Sequence, residues 1–204
     1  LVGSEMCIRD SIGTGVIGTG WILRFLANDI KVKAFDKNNQ QINFLKEEIR
    51  RTNLIIKKLY NTKINLKNLE IVDSIEEAVK NADLIQENVP ERLTLKKDVI
   101  KNISKYSPSN SIIASSSSGL LPSDLQLKCI NPKRLIIAHP FNPVYILPLV
   151  EIVKGKKTTN LYLNKAKKFY QKIKMKTLLV EKELPGFLSD RLQEALWREG
   201  LHCK

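Results

Sequence analysis

The sequence has no long apolar run. Its most apolar region, residues 135–153, is interrupted by Pro140, Pro143 and Pro148, whereas a membrane-spanning helix needs about 20 predominantly apolar residues in succession. The amino end also lacks the pattern of a signal peptide. We therefore expect no membrane association, and the hydrophobic content of 43% is instead enough for a sizeable core.

Cysteine is scarce. The three cysteines, Cys7, Cys129 and Cys203, are odd in number and widely spaced. This arrangement favours neither a disulfide framework nor a set of metal ligands. We therefore expect no metal site and a reducing, cytoplasmic location.

Acidic residues are few relative to basic ones. The 34 Lys and Arg residues exceed the 21 Asp and Glu residues and give a net charge of +13, which could attract nucleic acid. Ten lysines and a single acid lie between residues 152 and 182, but they coincide with a predicted amphipathic helix over 160–174. No aromatic stacking platform or nucleic-acid motif accompanies them. A solvated lysine-rich face is favoured, and we expect no nucleic-acid partner.

The start of the chain lacks both an initial methionine and a convincing strand. Arg9 and Asp10 place adjacent charges where a buried parallel strand would be apolar. Residues 1–11 are similar to translated adapter sequence. We therefore expect them to be a non-native leader and the native first strand to be missing.

A glycine-rich motif follows, in which Gly13, Gly15 and Gly18 have the spacing G-x-G-x-x-G before a helical pattern. The first glycine permits a tight turn, the second lets the backbone approach a pyrophosphate, and the third allows close helix packing. The strand predicted over residues 30–35 ends at Asp36, an acid suited to holding ribose hydroxyls and to repelling a 2′-phosphate. The motif predicts an NAD site, although a glycine-rich turn without a nucleotide has the same local pattern.

Short apolar strands alternate with helical segments along most of the chain. Strands are predicted near residues 69–72, 82–86, 111–115, 135–137 and 176–180, with helices between them. This alternation predicts an α/β fold with a doubly wound parallel sheet. We assign residues 12–183 to this domain. Residues 184–204 predict the first helix of a truncated all-α domain, because the apolar face of that helix has little left to pack on.

His139 and Glu151 are candidate catalytic residues. His139 follows the apolar run of residues 135–137, so it would stand at the carboxyl end of a strand, where ligands bind in open α/β sheets. A returning strand could bring the carboxylate of Glu151 against the imidazole and orient it as a base. A structural ion pair remains an equal alternative. The serine run 115–118 also ends a predicted strand, although serines are common in turns.

With these elements placed, the sequence resembles the 3-hydroxyacyl-CoA dehydrogenase family, and within it the branch that acts on carnitine. The resemblance covers residues 12–204. It is carried by five motifs, GTGVIGTGW at 13–21, ENVPER at 87–92, SSSSGLLP at 115–122, HPFNP at 139–143 and PGFLSDRL at 185–192.

The resemblance implies roles for individual residues. His139 would be the catalytic base, Glu151 its orienting partner, and Ser118 the serine that contacts the reacting oxygen. The residues implied at the cofactor site or the cleft beside it are Gly13, Gly15, Gly18, Asp36, Glu91, Lys96 and Asn142. NAD would be the cofactor, a 3-hydroxy acid the substrate, and the full-length protein a homodimer. The 204 residues alone would be inactive.

Asp190 departs from the acyl-CoA members of the family, which have asparagine at this position after Pro-Gly-Phe. A carboxylate can only accept hydrogen bonds, and its charge would suit a trimethylammonium substrate such as carnitine, with Trp21, Tyr145 or Trp197 adding a cation–π contact. A local pair of Asp190 with Arg191 or Arg198 is equally consistent with the sequence. Oxidation of a short 3-hydroxyacyl-CoA, or NAD binding without turnover, remain alternative functions.

Overall fold

A computed structural model describes residues 8–203 of the chain. Eight strands in this range form one sheet, with the order β3-β2-β1-β4-β5-β6-β7-β8. The strands are β1 (Ile8–Ile12), β2 (Lys31–Phe35), β3 (Leu69–Ile71), β4 (Leu84–Glu87), β5 (Ile112–Ser115), β6 (Leu135–Pro140), β7 (Leu149–Lys154) and β8 (Lys176–Val180).

Seven α-helices lie between and after these strands in the described range. They are α1 (Val16–Ala27), α2 (Asn39–Tyr60), α3 (Ile75–Val79), α4 (Leu93–Tyr106), α5 (Pro122–Leu125), α6 (Asn160–Lys172) and α7 (Ser189–His202). None of the helices in residues 8–203 has the length and apolar character needed to cross a membrane. The predicted α/β doubly wound fold is confirmed.

The central strands are buried on both faces, as a doubly wound sheet requires. Successive residues of β5 and β6 alternate between two apolar clusters, so that Ile112 and Ile136 pack on one side and Ile113 and Ile137 on the other. The first cluster includes the aromatic residues of α1 and α6, and the second includes Ile100 and Ile103 of α4. Both faces of the sheet are thus covered by helices.

The sheet is not parallel throughout. Strand β7 runs antiparallel to β6, and His139 lies directly opposite Glu151 in their register. Strand β8 is parallel to β7, so the last two strands run against the other six. The expected returning strand is therefore present, and it qualifies the prediction of a parallel sheet.

A first strand is present, although the sequence pattern of residues 8–12 did not predict one. Residues 8–12 form β1 and pair in parallel with both β2 and β4, at the centre of the sheet. The adjacent charges are accommodated because Arg9 lies 3.1 Å from Asp83 and 4.5 Å from the ring centroid of Phe169, while Asp10 accepts a hydrogen bond of 3.1 Å from the Lys33 backbone N–H. The origin of residues 1–11 stays a prediction, and residues 1–7, including Cys7, lie outside the described residues.

Helix α7 carries an exposed apolar side. None of its residues is buried, and Leu192, Leu196, Trp197 and Leu201 are each more than half exposed. The segment before it is anchored, because Phe187 is 1% exposed and packs on the core. The further helical domain expected to cover this face stays a prediction.

Candidate active site

A cleft of about 880 Å³ opens at the carboxyl ends of β1, β2, β4 and β6. From β1, the chain adds β2 and β3 on one side of the sheet and then β4, β5 and β6 on the other. Open α/β sheets bind their ligands where the strand order changes direction in this way. The residues that line the cleft include Gly13, Gly15, Asp36, Asn88, Glu91, Lys96, Ser116, Ser118 and His139. Most of the predicted site residues therefore share one cavity.

The glycine-rich turn has the geometry that its three glycines predict. Gly13 has a φ of +94°, and a Cβ atom there would lie 2.9 Å from the backbone of Asn88. A Cβ atom on Gly18 would lie 1.9 Å from the carbonyl oxygen of Gly13, so only glycine lets α1 pack against the turn. Gly15 is the N-cap of α1 and lines the cleft.

Asp36 lies immediately after β2 and fastens the same turn. One carboxylate oxygen accepts a hydrogen bond of 2.8 Å from the Thr14 N–H, and the other accepts one of 2.9 Å from the Asn38 N–H. Asp36 also lines the cleft. Its charge is thus held beside the amino end of α1, at the carboxyl end of β2.

His139 and Glu151 form a buried pair across β6 and β7. The Nδ1 atom of His139 lies 2.8 Å from Oε2 of Glu151, and their side chains are 11% and 0% exposed. The other carboxylate oxygen of Glu151 accepts hydrogen bonds from the N–H groups of Leu188 and Ser189, at 3.2 and 2.9 Å.

The environment of Glu151 favours its charged form. Burial acts to raise the pKa of Glu151, but the hydrogen bonds from His139 and Ser189 outweigh it and hold the pKa below its ordinary value. An ionised carboxylate can only accept hydrogen bonds. It therefore favours a proton on Nδ1 of His139, so that Nε2 is the nitrogen that faces away from the carboxylate's hydrogen bond.

The serine run at the end of β5 is not a flexible turn. The hydroxyls of Ser115 and Ser117 donate to Glu87 and Glu91 respectively, and that of Ser116 donates to Asn88 at 2.7 Å. Within the part of the chain that the structure describes, the Ser118 hydroxyl alone among these four has no hydrogen-bond partner. It lines the cleft, so it is available to a ligand.

Glu91 holds this turn by hydrogen bonds to its backbone. Its Oε1 atom accepts hydrogen bonds of 3.1 to 3.2 Å from the N–H groups of Ser118, Gly119 and Leu120. Burial acts to raise the pKa of Glu91, but the hydrogen bond from Ser117 and the charge of Lys96 lower it. Glu91 is thus a charged support of the Ser118 turn.

Lys96 is committed to two carboxylates. Its side chain is 1% exposed, and Nζ lies 2.9 Å from Glu87 and 3.6 Å from Glu91. The positive charge of the ammonium group therefore offsets part of the negative charge of Glu87 and Glu91. Lys96 lies at the wall of the cleft, as predicted, but its charge is directed to these partners.

Two predicted residues do not join this group. Asn142 is exposed and does not belong to the cleft lining found among the described residues. Asp190 lies in the first turn of α7, also outside that lining, and within residues 8–203 it forms no ion pair with Arg191 or Arg198. Neither of the two roles considered for Asp190 is thus visible in this structure.

Two residues of the cleft were not predicted, and Trp21 has another role than the one predicted. Asn88 and Ser116 line the cleft, and Trp21 reaches Ser116 from the core with its indole N–H at 3.0 Å. Trp21 is fully buried, so the suggestion that it contacts a substrate cation is wrong. A signal for Asn88 and Ser116 existed, since both follow predicted strands at the same edge of the sheet.

The residues of the cleft fit NAD. A Cβ atom on Gly15 would meet only the Gln41 side chain, at 3.7 Å, so the backbone is open to a pyrophosphate at the amino end of α1. Asp36 stands at the adjacent strand end, where an acid suits the ribose. The fold and the cleft together define a dinucleotide-binding domain of the doubly wound class.

Residues 11–184 match the family model described as "3-hydroxyacyl-CoA dehydrogenase, NAD binding domain". The chain belongs to this family, and NAD is the cofactor of the domain. The resemblance seen in the sequence motifs is thereby confirmed.

Curated relatives include L-carnitine dehydrogenases from two bacilli. The chain is 51% identical over 198 residues to that of Oceanobacillus iheyensis, covering 94% of this chain and 62% of the relative. It is 47% identical to that of Bacillus cereus, covering 94% of this chain and 59% of the relative. The chain thus spans about 60% of the length of these relatives.

A solved structure with the same fold is the NAD⁺-dependent dismutase 5-formyl-3-hydroxy-2-methylpyridine 4-carboxylic acid 5-dehydrogenase. The TM-score is 0.90 at 28% identity, over 97% of this chain and 65% of that protein. A 3-hydroxyacyl-CoA dehydrogenase from Archaeoglobus fulgidus matches with a TM-score of 0.81 at 22% identity, over 97% of this chain and 63% of that protein. At that identity the second match supports the fold alone.

Proposed function

We propose that this chain is the NAD-binding part of an enzyme that oxidises the 3-hydroxyl group of L-carnitine, or of a similar 3-hydroxy acid, to the 3-oxo product. The observation that carries the proposal is the buried His139–Glu151 pair, 2.8 Å apart, whose histidine lines the same cleft as the glycine-rich turn. The choice of carnitine is supported by the 51% and 47% identity to L-carnitine dehydrogenases.

His139 acts as the general base. Oxidation of a secondary alcohol needs a base at the hydroxyl while hydride leaves the same carbon. The Glu151 carboxylate holds the Nδ1 side of the ring, so Nε2 accepts the hydroxyl proton. The imidazolium that forms is stabilised by the adjacent carboxylate charge.

NAD, when bound, accepts the hydride. Gly13, Gly15 and the amino end of α1 would hold its pyrophosphate, and Asp36 would hold the adenosine ribose hydroxyls and disfavour NADP. Glu91 and Lys96 support the cleft wall on the other side, through the contacts described above. The protein thus supplies placement, charge and proton transfer.

Ser118 orients the substrate. Its hydroxyl lines the cleft and is uncommitted within the described residues, so it can hydrogen-bond to the oxygen that changes from hydroxyl to carbonyl. Asp190 contributes negative potential that suits a trimethylammonium group, and Trp197 or Tyr145 adds an aromatic face. These two contributions act in the full-length protein, where the surroundings of α7 are complete.

A comparison of two substrates tests the proposed function. The full-length protein is supplied with NAD and either L-carnitine or 3-hydroxybutyryl-CoA, and NADH formation is followed by absorbance. We expect turnover with L-carnitine and little with the thioester. The reverse preference would assign the protein to the acyl-CoA branch, and NAD binding without turnover of either would contradict an enzymatic role.

Two further parts of the proposal concern the whole protein. We propose that it functions in the cytoplasm and as a homodimer, with the 204 residues alone inactive. The exposed apolar side of α7 supports an additional packing partner. Turnover by the 204-residue chain alone would refute its inactivity.

A further inference from the structure

We propose that Trp21 and Ser116 are positioning residues, which fix the turn that carries Ser118 by tying it to the aromatic core. This inference rests on the proposed function, because Ser118 is there the residue that contacts the reacting oxygen. Trp21 and Ser116 would touch neither substrate nor NAD. They would act through the location of the turn.

The hydroxyl group of Ser116 is fully used by the protein. It accepts hydrogen bonds from the indole N–H of Trp21 at 3.0 Å and from the side-chain amide of Gln86 at 2.8 Å. It donates its own proton to Asn88 at 2.7 Å. A serine hydroxyl has one donor and two acceptor sites, so none remains for a ligand and the orientation of the group is determined.

The hydrogen bonds around Ser116 form a network that extends to the cleft on one side and to the core on the other. The end in the core is anchored there. The hydroxyl of Tyr170 donates to the side-chain oxygen of Gln86 at 2.7 Å, and Tyr170 is fully buried. Burial raises the pKa of Tyr170, so its hydroxyl stays a donor. The Trp21 ring lies 5.6 Å from Phe25 and 5.3 Å from Tyr170, between ring centroids, which fixes the direction of the indole N–H.

The outer end of the network reaches the cofactor side of the cleft. The side-chain amide of Asn88 donates to the Ser11 hydroxyl at 3.1 Å and to the Gln86 carbonyl at 2.9 Å. The backbone of Asn88 lies against Gly13 so closely that a Cβ atom there would come within 2.9 Å. Ser116 therefore connects the Ser118 turn to the wall of the glycine-rich turn.

The serine turn is consequently held at three points. Glu87 binds the hydroxyl of Ser115, and Glu91 binds that of Ser117 and the N–H groups that follow. Trp21, Gln86 and Asn88 hold Ser116 between them. Because Ser118 is two residues beyond Ser116, loss of the central attachment should move its hydroxyl, and small misplacements of reacting groups cost rate.

The experiment compares Ser116→Ala and Trp21→Phe with Ser104→Ala in the full-length protein. Ser104 is a matched control, since it is a buried serine away from the cleft whose hydroxyl accepts a hydrogen bond from the Ile130 N–H and donates one to the Lys101 carbonyl oxygen. We expect kcat with L-carnitine to fall roughly tenfold to a hundredfold in Ser116→Ala, and in the same direction in Trp21→Phe. The KM for NAD should stay within about twofold, and Ser104→Ala should keep its kcat.

A spectroscopic measurement on the 204-residue chain makes the proposal testable without turnover. In an amide-correlation NMR spectrum, Ser116→Ala should shift the indole N–H signal of Trp21 and the backbone N–H signals of residues 118–120, and Ser104→Ala should leave them in place. Unmoved signals in Ser116→Ala, or an unchanged kcat in an active enzyme, would overturn the positioning role. An inactive wild-type protein would contradict the proposed function, and the NMR result would still decide the positioning role.

Discussion

In the proposed mechanism, the Glu151 carboxylate determines which nitrogen of His139 acts as the base. It contacts Nδ1 at 2.8 Å and is itself held by the N–H groups of Leu188 and Ser189. These contacts lower its pKa against the opposing effect of burial, so it remains ionised through the neutral range. A carboxylate in this position orients the imidazole and stabilises its protonated form.

Glu151→Gln is expected to lower kcat of the full-length protein by roughly a hundredfold or more, the usual scale of a general base. An amide at this position could present its NH₂ group to Nδ1 and favour the wrong tautomer. NAD affinity should be unchanged. Steady-state kinetics with a parallel NAD titration provide the measurement, and a kcat within twofold of the wild-type value would contradict the orienting role.

Asp10 gives the folded domain an unusual pH dependence. Burial raises the pKa of this carboxyl from 3.8 to about 8, against the hydrogen bond and charge of Lys33. Between these two values the folded state binds a proton that the unfolded state has released. Stability should therefore be fully present below about pH 4 and decline as the pH rises to about 8.

Asp10→Asn should remove this contribution to the pH dependence. The free energy of unfolding, measured by urea titration at pH 5, 7 and 9, should fall with pH in the wild-type chain, by on the order of 1 kcal/mol per pH unit below the folded pKa. In Asp10→Asn the decline should be smaller. Equal slopes in the two proteins would show that Asp10 is ionised in the folded state.

At the scale of elements, α7 differs from the segment that leads into it. Phe187 is 1% exposed and its ring centroid lies 5.8 Å from that of His139, whereas Leu196 is 76% exposed on the helix itself. The segment at Phe187 belongs to the domain core. The helix beyond it contributes apolar surface that this domain does not bury.

Phe187→Ala is expected to destabilise the 204-residue chain by about 3–5 kcal/mol, the usual cost of deleting a buried aromatic side chain. Leu196→Glu should change stability by no more than about 0.5 kcal/mol, because exposed positions tolerate substitution. Denaturant titration compares the two. A large loss in Leu196→Glu would mean that α7 is packed in solution.

Three of the predicted strands, β4, β5 and β6, are buried along their whole length. The predicted strands at residues 111–115 and 135–137 are β5 and β6, and each of their apolar residues packs into one of two core clusters. Strand β1 was missed because Arg9 and Asp10 break that pattern. The Arg9 charge is met by Asp83 and Phe169, and the Asp10 carboxyl accepts a hydrogen bond from the Lys33 backbone. These partners are distant in sequence and cannot be inferred from local composition.

The site was predictable where short connections determine it. His139 and Glu151 are 12 residues apart on adjacent strands, so a hairpin brings them together, and the glycine spacing determines the turn before α1. The link from Trp21 to Ser116 spans 95 residues and depends on how α1 packs against the sheet. Sequence patterns alone do not specify such a contact.

At the scale of the whole molecule, the positive net charge of +13 does not decide the choice of cofactor. We propose that the local charge does, because Asp36 stands beside the glycine-rich turn and would face the 2′-phosphate of NADP. Like charges brought together at a binding site raise the free energy of the wrong complex.

The 204-residue chain should bind NAD at least about tenfold more tightly than NADP, a difference of about 1.4 kcal/mol. Asp36→Asn should reduce this preference, and Asp73→Asn, which removes an exposed acid outside the cleft lining, should not. Calorimetric titration with both dinucleotides gives the two affinities. Equal affinities in the wild-type chain would contradict the role of Asp36.

The measurement that tests the central claim most directly is NADH formation from L-carnitine by the full-length protein and by its His139→Gln variant, with NAD binding titrated in both. We predict turnover by the wild-type protein, a loss of roughly a hundredfold or more in the variant, the scale of general-base catalysis, and equal NAD affinity. A variant that binds NAD normally and turns over L-carnitine at the wild-type rate would contradict the assignment of His139 as the base.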